Sequence, residues 1–115
     1  MDTRLLSETL ARVSGPGFII KTEVHSSSDY DASVVFNDPS KKPSWSIVES
    51  GVIDTQWAIV RGRRDNKLLS CDWTRLDDVP IDPVKKTEWE TYRQELRDIT
   101  DQPDPFNINW PTPPE

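Results

Sequence analysis

One histidine and one cysteine occur among the 115 residues of this sequence, and those two side chains bound its covalent and metal chemistry. A structural zinc site of the common type draws four ligands from Cys and His, so His25 and Cys71 cannot assemble one. A nucleophile-and-base arrangement would have to use His25 as its base. That residue stands at the edge of the serine-rich stretch HSSSDYD, with no supporting motif around it. Asp77 and Asp78 form an acidic pair, and a solvated turn ahead of Pro80 accounts for them better than calcium ligation does. The four glycines are scattered as turn residues, without the spacing that cradles a phosphate. The inventory points away from an enzyme and implies no cofactor, no metal and no small-molecule substrate.

What the sequence offers instead is large amphipathic rings. Trp45, Trp57, Trp73, Trp89 and Trp110 sit in a chain that is only 34% apolar, against roughly 45–50% in ordinary globular proteins. Part of the chain is therefore expected to lie outside a packed core, and such rings serve both cores and binding surfaces. The formal net charge is -6, which repels phosphate backbones and argues against nucleic acid as a partner. Charge is unevenly spread: Arg61, Arg63, Arg64, Lys67 and Arg75 face only Asp65 and Asp72, whereas residues 76–115 are strongly acidic. The basic cluster reads as a solvated face before it reads as a docking patch. A lone cysteine leaves no internal disulfide and fits a reducing compartment. No charged-then-apolar leader is visible, and no apolar run approaches the roughly 18 residues of a membrane span. The expectation is a protein of the cytoplasm without membrane contact.

The elements that must position these residues are read from periodicity. Residues 2–13, DTRLLSETLARV, predict a short helix with Asp2 as N-cap and Leu5, Leu6, Leu10 and Val13 on one side. Gly15-Pro16-Gly17 ends it. FIIKTEVH, residues 18–25, alternates as a strand; HSSSDYD reads as a loop, ASVVF as a second strand, NDPSKKP as a loop and SWSIV as a third strand. Residues 53–70 admit two readings. Alternation through Ile53, Thr55, Trp57 and Ile59 allows a strand, while Trp57, Val60, Arg64 and Leu68 recur at helical spacing. Gly62 costs a helix about 1 kcal/mol, too little to decide.

The clearest helix opens at Asp82 as N-cap with Pro83 in the first position. Trp89, Tyr92, Leu96 and Ile99 give it one apolar stripe, and Pro103 and Pro105 end it. FNINWPTPPE beyond them predicts an extended, polyproline-like arm. The fold class is α+β: a β-rich region over residues 1–52, a helical module over residues 53–102, and a Trp/Pro arm over residues 103–115.

Read in order, RDNKLLSCDWTRLDD, then Trp89, Tyr92-Arg93-Gln94, Leu96-Arg97-Asp98-Ile99 and Trp110-Pro111-Thr112-Pro113-Pro114 form one spaced set. This set resembles the phage tail assembly chaperone family and covers residues 61–115. The family pattern favours the helical reading of residues 55–70, which is adopted on that ground alone. DQPDPFNINW stands where the pattern usually has a glycine–phenylalanine–proline turn, so the exit angle of the arm stays open. Residues 1–52 carry no assigned motif.

The resemblance implies a non-catalytic protein that helps bacteriophage tail fibres fold, trimerise or attach, working in the host cytoplasm during assembly. The alternative is a permanent structural subunit of the tail fibre or baseplate in the virion tail. Fibre chains are long and β-rich, with unpaired edges that aggregate while they wait for partners. The implied partner is a phage tail fibre or baseplate protein, and the chain could form an oligomer within the tail. Candidate partner-binding residues are Trp110, Phe106, Ile108 and Pro111 on the arm, with Trp73 and Arg93 on the module. Trp73 also reads as core beside Trp89 and Tyr92. Cys71 is a candidate for an intermolecular disulfide once a particle leaves the cytoplasm, or else a buried, inert thiol. The arm is expected to reach outward to a partner, the alternative being that it packs back on its own helix and serves only folding.

Overall fold

Asp2 caps the first helix, α1 (Thr3–Ser14), its carboxylate accepting the Arg4 N–H at 2.8 Å. The structure, a computed structural model, describes residues 2–115. α1 buries Leu5, Leu6, Thr9 and Leu10 and stops at Gly15, where φ is 77° and the N–H returns to the Ala11 carbonyl. That left-handed backbone favours glycine, which has no Cβ to clash.

The β content is smaller than the sequence predicts. β1 (Phe18–Ile20) pairs antiparallel with β2 (Val34–Phe36), Phe18 opposite Phe36, and these two strands form the whole sheet. FIIKTEVH leaves the ladder early because its partner is short: beyond β1, Lys21 N–H still bonds the Ser33 carbonyl at 2.8 Å. HSSSDYD is not a loop but the source of α2 (Ser27–Ser33), which also takes Ala32 and Ser33 out of the expected second strand. Ser26 Oγ accepts the Asp29 N–H at 3.2 Å, and the Asp29 carboxylate accepts the His25 N–H at 3.1 Å. This exchange resembles a capping box and supplies the local reason for a helix there.

SWSIV is likewise not a strand. It begins α3 (Trp45–Ser70), a single helix that also takes in residues 53–70 and so settles their two readings. Val48, Val52 and Thr55 recur at spacings of four and three and are all buried. That helical face outweighs the β-propensity of Trp45, Ile47 and Val48. The N-terminal region is thus mostly helical rather than β-rich, within an α+β fold.

Two compact units divide the chain, Met1–Gln56 and Trp57–Glu115, with α3 contributing residues to each. In the first, Leu6, Leu10, Tyr30, Val34 and Val48 are almost fully buried. The Thr9 and Thr55 hydroxyls meet in that core at 3.1 Å. In the second, α4 (Pro83–Arg97) follows a 3-10 turn at Asp72–Arg75 and runs into another at Asp98–Asp101. Val60, Cys71, Tyr92, Leu96 and Ile99 form its core.

Candidate docking surface

α4 starts where the sequence places it. Asp82 accepts the Lys85 N–H at 2.8 Å, and Pro83 takes a position whose N–H would be unbonded anyway. Its stripe then divides. Tyr92, Leu96 and Ile99 are buried, while Trp89 stays half-buried. Burial, and then the neighbouring Cys71, push the Tyr92 phenol above its ordinary value.

Between α3 and α4 the chain turns through an elbow at Cys71–Arg75, and Arg93 braces it from α4. One guanidinium nitrogen donates to the Leu68 carbonyl at 2.9 Å and to Cys71 Sγ at 3.1 Å; the other meets Asp72 Oδ1 at 3.0 Å. The side chain is only 11% exposed, so Arg93 spends most of its donors inside its own unit. Cys71 is 3% exposed beneath it, so a thiol of another chain could reach it only after the elbow opened. Trp73 stands on the outer side, 46% exposed. Its ring meets Trp89 edge-on at 5.7 Å, and Trp89 meets Tyr92 at 5.7 Å. Trp73 therefore packs against Trp89 and leaves the rest of its ring to solvent.

Residues 103–115 carry no helix or strand, yet Trp110, Pro111, Thr112 and Pro114 line grooves with α4, and Trp110 meets Lys67 of α3. Gln102 fixes the return. Its amide donates to the Asn109 carbonyl at 3.0 Å, and its oxygen accepts the Asn109 N–H at 2.9 Å. Asp104 fixes the turn between them. Its carboxylate accepts the Phe106 N–H at 2.9 Å and the Asn107 amide at 2.8 Å, and these bonds hold it below the usual carboxylate range. Pro105 is buried by this turn and Phe106 is thrown outward, 51% exposed. Ile108, Trp110 and Pro111 are half-buried. Lys67 Nζ sits 5.3 Å from the Trp110 ring centroid, a cation–π contact.

Two open grooves flank the arm. One, of about 350 Å³, lies between Thr87, Thr91, Tyr92 and Glu95 of α4 and Thr112 and Pro114 of the arm. The other, of about 410 Å³, is bounded by Glu95, Ile99, Gln102, Asn109, Trp110 and Pro111. Trp110 and Pro111 line the second groove and Phe106 and Ile108 line neither, while Trp73 and Arg93 belong to the elbow. Gln102 gives no sign of its role in the sequence, because its partner is backbone seven residues on. The exposure of Leu69, Leu76 and Val84 is equally hidden there.

The profile of the phage tail assembly chaperone proteins matches residues 57–115. The chain belongs to that family. Comparison with curated proteins and with solved structures finds no match. Family membership assigns the chain a non-catalytic part in assembling a bacteriophage tail, and therefore contact with tail proteins. The matched segment contains the elbow, α4 and the arm, all within the second compact unit. Among the described residues, no group of His, Cys, Asp and Glu is arranged to hold a metal ion, and no helix is long and apolar enough to cross a membrane.

Proposed function

We propose that this tail assembly chaperone acts on tail-fibre or baseplate chains, holding apolar surface and strand edges until fibre assembly covers them. It does so in the host cytoplasm, by contact alone. Residues 103–115 are the presented arm, residues 53–102 the module that carries it, and residues 1–52 a region of separate role. Phe106, Ile108, Trp110 and Pro111 make the contact, together with the outer face of Trp73; Arg93 serves by fixing the elbow on which Trp73 stands.

The observation that carries this reading is the Asp104 turn, which buries Pro105 and directs Phe106 into solvent. An exposed phenylalanine on an arm already fixed at both ends loses little entropy on binding. The experiment is co-expression of the fibre protein with wild-type chain or with a Phe106→Ser, Trp110→Ser variant, reading the yield of soluble trimer. The wild type should raise the yield and the variant should not. Equal yields would overturn the reading. Mass spectrometry of purified virions separates a transient helper, which is missing from them, from a permanent subunit.

A further inference from the structure

The two-stranded sheet of the first unit is open along one edge. Lys21 N–H donates to the Ser33 carbonyl and Asn37 N–H to the Gly17 carbonyl, each at 2.8 Å. With Ile19 opposite Val35 in the register, these bonds make Ile19–Val35 the hydrogen-bonded pair and leave Phe18–Phe36 and Ile20–Val34 as non-bonded pairs. The N–H and C=O groups of Phe18 and Ile20 therefore point away from β2. Among the described residues, none of these groups has a hydrogen bond. The outer edge of β2 is different. Val34 N–H donates to the Tyr30 carbonyl, the Val34 carbonyl accepts Lys42 Nζ at 2.7 Å, and α2 and Pro39–Lys41 pack against the strand. β1 packs mainly on β2. Ile19 and Val35 stand directly opposite each other, 60% and 43% exposed, so the open edge runs beside an uncovered apolar pair.

We propose that the edge of β1 receives an extended segment of a tail protein, which joins the sheet as a third strand. The free backbone groups specify the occupant, because a chain in β conformation presents donors and acceptors at their spacing. Apolar residues at alternate positions of that segment stand beside Ile19, on the face that Val35 already extends. A second copy of this chain offers the same edge, but a strand of three residues buries far less than the roughly 1,000 Å² that a stable interface needs. A contact that small suits a helper that must release what it holds. The inference rests on the docking function above and gives residues 1–52 a part in it, through a face in the other compact unit from the arm.

The test follows amide exchange in isotope-labelled full-length chain with two synthetic peptides of the sequence Thr-Val-Thr-Val-Thr-Val-Thr. One has an ordinary backbone. The other is N-methylated throughout, which keeps the side chains and removes every backbone donor. The ordinary peptide should slow exchange at Phe18 and Ile20, and the methylated one should bind at least about tenfold more weakly. Ile19→Lys, which sets a charge on the edge, should weaken binding about tenfold, and its unchanged melting curve separates a blocked edge from a lost fold. Equal binding of both peptides, or unchanged exchange at Phe18 and Ile20, overturns the assignment. So does self-association of the free chain that Ile19→Lys abolishes, because a second copy would then be the occupant. Phe106→Ala should bind the peptide as the wild type does. If that variant loses the fibre protein while the wild type ignores the peptide, arm docking stands and the edge inference alone fails.

Discussion

Arg93 and Asp72 meet across the elbow at 3.0 Å, but the aspartate is 55% exposed while the arginine is 11% exposed. Water therefore screens one partner of the pair, which limits the pair's worth to about 0.2–1 kcal/mol. The bond from Arg93 to the Leu68 carbonyl is better shielded. It reaches a carbonyl in the last turn of α3 that also accepts the Cys71 N–H at 3.2 Å, at a helix end where a positive charge is favoured. Against this, Arg93 Nε is buried without an acceptor, which reduces the net gain.

Asp72→Asn should accordingly cost under about 1 kcal/mol, and Arg93→Ala about 2 kcal/mol. Urea denaturation of the two variants measures both. Equal losses would mean that the exposed ion pair, not the carbonyl bond, secures the elbow.

The same substitution at two helical glycines should act in opposite directions. A Cβ at Gly51 would lie 2.9 Å from Thr9 Cγ2 and 3.2 Å from Val13 Cγ2. Thr9 is fully buried and β-branched, so it cannot easily swing away. Gly51→Ala should destabilise the first unit by about 1–3 kcal/mol despite its better helix propensity. A Cβ at Gly62 meets nothing within 4 Å, so Gly62→Ala should stabilise by about 0.5–1 kcal/mol. Thermal melts decide the signs.

Both tyrosines of the chain, Tyr30 and Tyr92, have their phenols pushed above the ordinary value, by burial first and then by Asp31 and Cys71 respectively. A raised folded-state pKa contributes stability that is complete below the unfolded value of about 10 and is lost as pH rises through the folded one. Ultraviolet titration of the native chain should find less phenolate at the pH where the urea-unfolded chain is half ionised. Coincident native and unfolded curves would contradict the burial of these rings.

Asp104 gives the opposite sign. Its carboxyl is depressed by the Phe106 N–H and then by Asn107, so its hold on the turn is present above about pH 3.9 and is lost as pH falls through the folded value. The Phe106 amide resonance should therefore titrate with a midpoint below that of a free carboxylate. In Asp104→Ala the acid transition should vanish and the amide should lose its protection from exchange.

α4 was legible in the sequence because each local rule agreed: Asp82, Pro83, the stripe from Trp89 to Ile99, and the terminating prolines. The first unit was less so, because local chemistry and propensity disagreed. Trp45, Ile47 and Val48 favour strands by type, yet Val48, Val52 and Thr55 bury one helical face. Three serines in a row resemble a loop, although Ser26 and Asp29 cap a helix. The arm carries no helix or strand. Its return onto α4 depends on bonds between Gln102 and backbone, and on Lys67 above Trp110, which no periodicity encodes. Of the candidate contact residues, Phe106 and Trp73 are the most open to solvent, and Arg93 turned out to face inward.

The central claim is that the arm docks on a tail protein, and one exposed side chain tests it most directly. Deleting the arm would be ambiguous, because its bonds to Gln102 and its contact with Lys67 also support the fold. Phe106 avoids that difficulty, since at 51% exposure its truncation should change stability by no more than about 0.5 kcal/mol. The measurement is the affinity of the purified tail-fibre protein for wild-type and Phe106→Ala chain, with melting curves recorded for both. The account predicts a loss of at least about tenfold in affinity at an unchanged melting temperature. Unchanged affinity in a folded variant would contradict it.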